Sequence, residues 1–202
     1  MMNGVLALAI AYLLGAVPFG YLLVKWKTGG DVRSSGSGNI GATNVLRTTG
    51  RSLGFITLLL DIAKGFFAVW IASALTGGSP QWTSAAALAV MAGHAFPVFL
   101  KFHGGKAVAS FVGAFLYLAP LALAATLVVF VAVVALTRYI SLGSITGAAL
   151  FPFAAWLIAH PPAEVIAAAA IAGAFVIWRH KENIARLAAG KENVLSLGGK
   201  RS

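Results

Sequence analysis

The chain has 202 residues, of which 59% are hydrophobic and only 10% charged, with a mean hydropathy of +0.89. That balance excludes a water-soluble globular domain and places the chain among integral membrane proteins. A net charge of +10 would suggest nucleic acid in a soluble protein, but here the placement of the charges decides its meaning and no nucleic-acid partner is expected; the lack of cysteine excludes disulfides and thiolate chemistry.

A bilayer core about 30 Å thick needs about 20 apolar residues per helix, so the chain has room for about six or seven spans. It reads as a single transmembrane domain, 1–202, with no separate soluble part. The first helix is expected over residues 4–24. It has neither a basic leader nor a small-residue cleavage site, so it reads as a retained span closed by Lys25 and Lys27. A polar loop follows to residue 52. The second run, 53–75, carries Asp61 and Lys64, three residues apart and so on one helical face, where each offsets the other and neither should face lipid. Gly77, Gly78 and Pro80 make an uncharged turn before the third run, 85–100.

The apolar stretch 107–137 is too long for one untilted span and is interrupted by Pro120. It is either one kinked helix or two shorter ones joined near residues 118–121. The sixth run is 142–159, with Gly143 and Gly147 spaced for close helix packing. Pro161 and Pro162 turn the chain into the seventh, 163–178, and a basic tail begins at Arg179.

With seven spans, every loop-borne basic residue falls on one side: Lys25, Lys27, Arg33, Arg47, Arg51, Lys101, Lys106, Arg138, Arg179, Lys181, Arg186, Lys191, Lys200 and Arg201. By the positive-inside rule that side is cytoplasmic, with the N-terminus outside and the C-terminus inside. The expected fold is therefore all-α, a polytopic integral membrane protein with seven transmembrane helices. Its weak point is the fourth span, since residues 107–119 reach only about 20 Å as a helix. Three polar segments, 34–51, 93–109 and 179–193, then share the cytoplasmic face, where they can meet.

The first segment, Ser34 to Arg51, has an anion site's vocabulary. Gly36, Gly38 and Gly41 permit tight turns and bare N–H groups, Ser35, Ser37, Thr43 and Asn44 add donors, and Arg47 adds a planar fork for phosphate or carboxylate. A flexible loop has the same composition. The glycines also spell G-x-G-x-x-G, but a membrane-length run precedes them rather than a strand, which rules out the dinucleotide reading. In the second segment, Gly104 and Gly105 before Lys106 suggest a backbone nest presenting a lysine to an anion, although no Ser or Thr follows as a nucleotide P-loop needs. His94 reads as a hydrogen-bonded helix-end residue and His103 as interfacial. In the third, His180, Asn183 and Arg186 share one face if helical. An amphipathic basic tail lying on the membrane is the plainer alternative.

Together, Gly-Ser-Gly-Asn-Ile-Gly-Ala-Thr-Asn-Val-Leu-Arg at 36–47, Gly-His-Ala-Phe-Pro-Val at 93–98 with Gly-Gly-Lys-Ala-Val-Ala at 104–109, and His-Lys-Glu-Asn-Ile-Ala-Arg-Leu at 180–187 resemble the bacterial acyl-phosphate:glycerol-3-phosphate acyltransferases, the PlsY family. Asp61 with Lys64 and Gly65 fits as well, and the match covers nearly the full length. The resemblance implies seven helices in the bacterial inner membrane with a cytoplasmic active site. It implies acyl transfer from a fatty acyl phosphate to the 1-hydroxyl of sn-glycerol 3-phosphate, the first step of phospholipid synthesis, giving lysophosphatidic acid and phosphate.

Carried over by position, Ser37, Asn39, Thr43, Asn44 and Arg47, with Gly38 and Gly41, would line the acyl-phosphate site. Lys106, His180, Asn183 and Arg186 would hold glycerol phosphate. Ser37, Asn44 and His180 are the implied catalytic residues, with backbone amides of 38–42 and Asn44 as the oxyanion site and either His180 or a substrate phosphate as the base. Ala107, Ser110 and Ile40 depart from the glycine, threonine and proline usual in the family.

The implied partners are the two substrates, membrane lipids and an acyl-phosphate-producing enzyme. No cofactor or metal is expected, because Asp31 is the only carboxylate near the first segment and Glu182 and Glu192 do not make a ligand set. No histidine is followed five residues later by aspartate, so the base of thioester-using acyltransferases is missing. The rival readings are a transporter of phosphate or an organic phosphate, which would be expected to show an internal repeat and a mid-membrane site, and an assembly protein.

Overall fold

The computed structural model describes residues 1–195; Lys200 and Arg201, counted above with the tail, lie outside the described residues. Those described form ten α-helices, joined by short turns except for two longer segments, 29–41 and 96–107. The chain divides into two compact units, one of residues 1–118 and one beginning at Ala119.

The first unit contains α1 (Met2–Ala16), α2 (Phe19–Thr28), α3 (Ala42–Thr48), α4 (Arg51–Thr76), α5 (Pro80–Ala95) and α6 (Val108–Leu118). The expected single helix over 4–24 is broken between α1 and α2. Pro18 has no amide to donate and pushes Val17 out of the helical region, to φ −64°, ψ 113°. Helix α1 packs on α4 and α5, and α4 on α6. The shared core is built from Ala7, Ala11, Ala68, Ala72, Ala86, Ala87 and Ala114, with Val69 and Val90. Small side chains allow close helix approach where lipid supplies no hydrophobic drive for association. Helices α4 and α6 cross closely at Gly65 and Gly113, where a methyl group would strike the carbonyls of Ser110 and Ile62. A smaller cluster of Val24, Val32, Ile40, Val45 and Leu100 underlies the polar loop.

The second unit contains α7 (Pro120–Thr137), α8 (Ile140–Ala154), α9 (Ala163–Arg179) and α10 (Lys181–Ala188). Helix α8 packs on both α7 and α9. Gly143 faces Phe130 and Val134 too closely for a side chain, whereas a methyl on Gly147 would meet the Thr126 carbonyl only at ordinary contact, so of the glycine pair the first alone serves close packing. Pro152 lies inside α8 and cannot bond the carbonyl of Ala148, against which Gly173 of α9 rests. Past it the helix loosens into a π-helical turn, Ala155–Ala159, and stops at His160 before the two prolines.

Among the described residues, five stretches are long and apolar enough to cross a membrane: Met2–Thr28, Arg51–Thr76, Pro80–Leu100, Pro120–Thr137 and Ile140–Ala159. A sixth is α9 with α10, taken as one span bent by 56°. Pro120 divides the long run, with α6 ending at Leu118 and α7 starting at Pro120. That leaves α6 with 11 residues, shorter than an ordinary crossing.

Candidate active site

The loop between α2 and α4 is organised by one buried side chain. Asn44, on α3 and 2% exposed, accepts from the Ser37 amide at 2.8 Å and donates to the carbonyls of Val32, Ser35 and Asn39 at 3.1, 3.1 and 2.8 Å. A four-point tie of this kind replaces the hydrogen bonds that irregular backbone cannot make with itself. Gly36 turns with φ +63°, and a Cβ there would strike the Asn44 Oδ1. Asn39 accepts from the Gly41 amide at 2.8 Å, fixing the entry to α3. At the loop's start Asp31 grips Arg33 at 2.6 Å, and the guanidinium lies over the Tyr21 ring at 5.1 Å. That hydrogen bond to Arg33 holds the Asp31 carboxyl below its ordinary range.

This changes the expected division of labour. Asn44 is committed to the loop, and within the expected oxyanion set of amides 38–42 those of Gly38 and Gly41 are taken by loop acceptors, as is the neighbouring amide of Ser37. Three side chains of the segment are open as well. Ser37 and Arg47 are exposed and Thr43 half-buried, and among the described residues neither of the two hydroxyls nor the guanidinium holds a hydrogen bond or ion pair.

The second segment also differs from expectation. The amides of Gly104 and Gly105 do not form an open nest; they donate to the carbonyls of Ala95 and His94 at 3.2 and 3.1 Å and so cap the end of α5. The glycines are needed because their backbone lies flat on His94 and Pro97. Lys106 follows, half-buried. His94 is buried as a helix-end residue with Nδ1 3.2 Å from the Ser110 hydroxyl, and His103 is exposed with Nδ1 on the Lys101 carbonyl at 2.6 Å. Ala107 adopts φ +62°, a conformation that glycine reaches without strain.

In the second unit the expected trio separates. His180 sits at the corner between α9 and α10, buried, with Nδ1 on the Val176 carbonyl at 2.8 Å. A carbonyl only accepts, so Nδ1 carries the hydrogen and Nε2 is the proton-accepting nitrogen of the neutral ring. Asn183 and Arg186 do share a face of α10, and both meet Glu192, at 2.8 and 2.9 Å. Burial alone would raise the Glu192 carboxyl, but hydrogen bonds from Asn183 and Arg186 outweigh it and hold it below the usual range.

Glu192 is the residue that the sequence reading missed. Its signal was Gly190, which at φ +66° ends α10 with paired bonds, Gly190 amide to Leu187 carbonyl and Lys191 amide to Arg186 carbonyl. That reversal sends the next residues back along the helix.

Helix pattern and loop chemistry define a polytopic membrane protein whose polar and cationic residues gather in the segments between apolar helices. The family model for glycerol-3-phosphate acyltransferase matches residues 5–190. Similar relatives include the glycerol-3-phosphate acyltransferase of Geobacter sulfurreducens, 46% identical over 96% of this chain and 98% of its own. That of Trichlorobacter lovleyi is 49% identical over 96% and 98%. Among solved structures, the chain is similar to PlsY (YgiH), an integral membrane glycerol 3-phosphate acyltransferase, in its glycerol 3-phosphate form, with TM-score 0.90, 37% identity and 96% of each chain covered. The lysophosphatidic acid form of that protein gives a TM-score of 0.87 at 35% identity, covering 96% and 95%. The chain belongs to the glycerol-3-phosphate acyltransferase family, as its motifs led us to expect.

Proposed function

We propose that the chain transfers a fatty acyl group from an acyl phosphate to the 1-hydroxyl of sn-glycerol 3-phosphate at the cytoplasmic face of the bacterial inner membrane, releasing lysophosphatidic acid and phosphate. The observation that carries this is the loop around Asn44. It is rigidly tied from within, yet it leaves Ser37, Thr43 and Arg47 open, which suits a phosphate-bearing donor. A relative's structure in a glycerol 3-phosphate form supports the acceptor. An acyl phosphate is a mixed anhydride and already activated, so the protein has mainly to position the partners and stabilise charge.

In the reaction the acceptor hydroxyl oxygen attacks the acyl carbon, forming the ester C–O bond. The acyl C–O bond to phosphorus breaks and phosphate leaves with the electron pair. We assign Ser37, Asn39, Thr43 and Arg47 to the donor phosphate, with Gly38 and Gly41 shaping their loop and Asn44 as its positioning residue. Lys106, His180, Asn183 and Arg186 are assigned to the acceptor by their match to the family's motifs. Two routes serve the hydroxyl proton, Nε2 of His180 and a substrate phosphate oxygen.

The orientation proposed is N-terminus outside and C-terminus cytoplasmic, with α6 as the additional crossing that makes seven. Exposed Val98, Phe99 and Phe102 flank Lys101 just before it. Such residues suit a loop sunk into the headgroup boundary, so the short helix starts below the surface. The test is acyl transfer by purified protein, given acyl phosphate, acyl-CoA and acyl carrier protein donors in parallel. Phosphate and lysophosphatidic acid are expected in equal amounts from acyl phosphate alone. Product from thioesters alone would overturn the donor assignment.

A further inference from the structure

Within the first unit, polar side chains unused by this chemistry are buried together. Asp61 and Lys64 of α4 form an ion pair at 2.8 Å, each side chain 3% exposed. Lys64 Nζ also donates at 3.0 Å to the Val17 carbonyl, which stands at the break before Pro18 and accepts from the Phe19 amide as well, and lies 5.7 Å from the centre of the Phe19 ring. Asp61 Oδ1 faces His94 Nδ1 at 3.7 Å, on the ring side that also meets Ser110. The opposite ring nitrogen, Nε2, is what a methyl on Gly105 would strike. The ring is thus the seat of the Gly104–Gly105 turn, and Lys106 is the next residue.

Taking two charges out of water is costly, and apolar side chains of similar size often pack as stably in their place. This pair is therefore not required by core packing. It joins two separate places: the α1–α2 corner, from which α2 leads into the Asn44 loop, and the seat of the segment that carries Lys106.

We propose that Asp61, Lys64 and His94 are positioning residues, which hold the Gly104–Lys106 turn in register with α2 so that Lys106 meets the acceptor's phosphate. The inference rests on the proposed reading of Lys106 as a glycerol 3-phosphate ligand, and the experiment tests the two apart. Three variants of the full chain are compared with wild type in detergent, for thermal unfolding and for KM of both substrates: Lys106→Ala, His94→Gln, and Asp61→Leu with Lys64→Met.

The double variant removes both charges together. It is expected to unfold within a few degrees of wild type, while KM for glycerol 3-phosphate rises about tenfold or more and KM for acyl phosphate changes less than about twofold. His94→Gln is expected to move KM the same way, and it decides alone if the double variant does not fold. Wild-type KM in His94→Gln and in any folded double variant, beside a raised KM in Lys106→Ala, would overturn the network and leave the substrate reading standing. An unchanged KM in Lys106→Ala would overturn both.

Discussion

Replacing Asn44 with alanine removes the four hydrogen bonds that shape the first loop. Ser35 and Ser37 are exposed, so water takes over their groups; the carbonyls of buried Val32 and half-buried Asn39 are less well served. Two such groups left unsatisfied cost about 1–2 kcal/mol each, or about 2–4 kcal/mol together. Because every ~1.4 kcal/mol is tenfold, the ordered loop loses about 30- to 700-fold in its equilibrium. The cost falls on the loop and not on the helical core, so helix content and the unfolding midpoint should barely move while kcat/KM for the acyl donor falls toward that range. Asn44→Asp should be no milder, since it puts an anionic acceptor against three carbonyls. The assay pairs phosphate release with hydrogen exchange at the amides of 36–41. Lost activity with Ser37 still protected would refute this account, because Asn44 would then be touching substrate, and so would an Asn44→Asp variant near wild type.

Arg47 is exposed and, among the described residues, without an ion pair, so its loss should leave stability unchanged. Removing a charge-assisted bond of about 1.5–3 kcal/mol should cut donor kcat/KM about 10- to 150-fold in Arg47→Ala, with Arg47→Lys between because it keeps charge without the fork; full activity of the alanine variant would place Arg47 outside the site. Glu192 titrates lower when folded than unfolded, so its contribution is present above the ordinary carboxylate value of 4.5 and is lost as pH falls below it. Glu192→Gln should accordingly destabilise by about 1 kcal/mol from about pH 5 to 8, with the gap to wild type closing in more acidic buffer, as read by thermal unfolding across pH. His180→Asn retains a side-chain amide near the Nδ1 position, which can still bond Val176, and removes the basic Nε2. Loss of turnover and of the acid limb of the pH–rate profile is expected if His180 is the base, whereas a wild-type profile assigns the proton to substrate phosphate.

The long apolar helices were legible because hydropathy counts residues, and the ion pair because a spacing of three puts Asp61 and Lys64 on one helical face. The break at Pro18 was also written in the sequence, but a membrane-length apolar run hides a corner that costs little when a lysine 47 residues later caps it. What the sequence could not show is direction. Asn44 and the Gly104–Gly105 amides have the chemistry of ligand donors, and only the chain path reveals that they face inward, one toward the loop and the others toward the end of α5. The reverse holds for Glu192, which reads as a solvated tail residue until Gly190 turns it back onto Asn183 and Arg186.

Solvation cost explains how the charges are sorted. A cation within a span must be neutralised locally or it cannot stay there, so Lys64 is paired, takes a carbonyl besides and, at 3% side-chain exposure, is buried away from a substrate. Arg47, exposed on the short helix α3, is solvated by water while it waits and can exchange that water for phosphate at small net cost. Its reach for an anion therefore depends on standing outside the apolar core. Rigidity must then come from elsewhere, and here it comes from a neutral amide, since Asn44 ties the loop without adding a charge that would compete with the substrate. An aspartate or lysine in that role would hold the loop only by attracting or repelling the phosphate it is meant to receive.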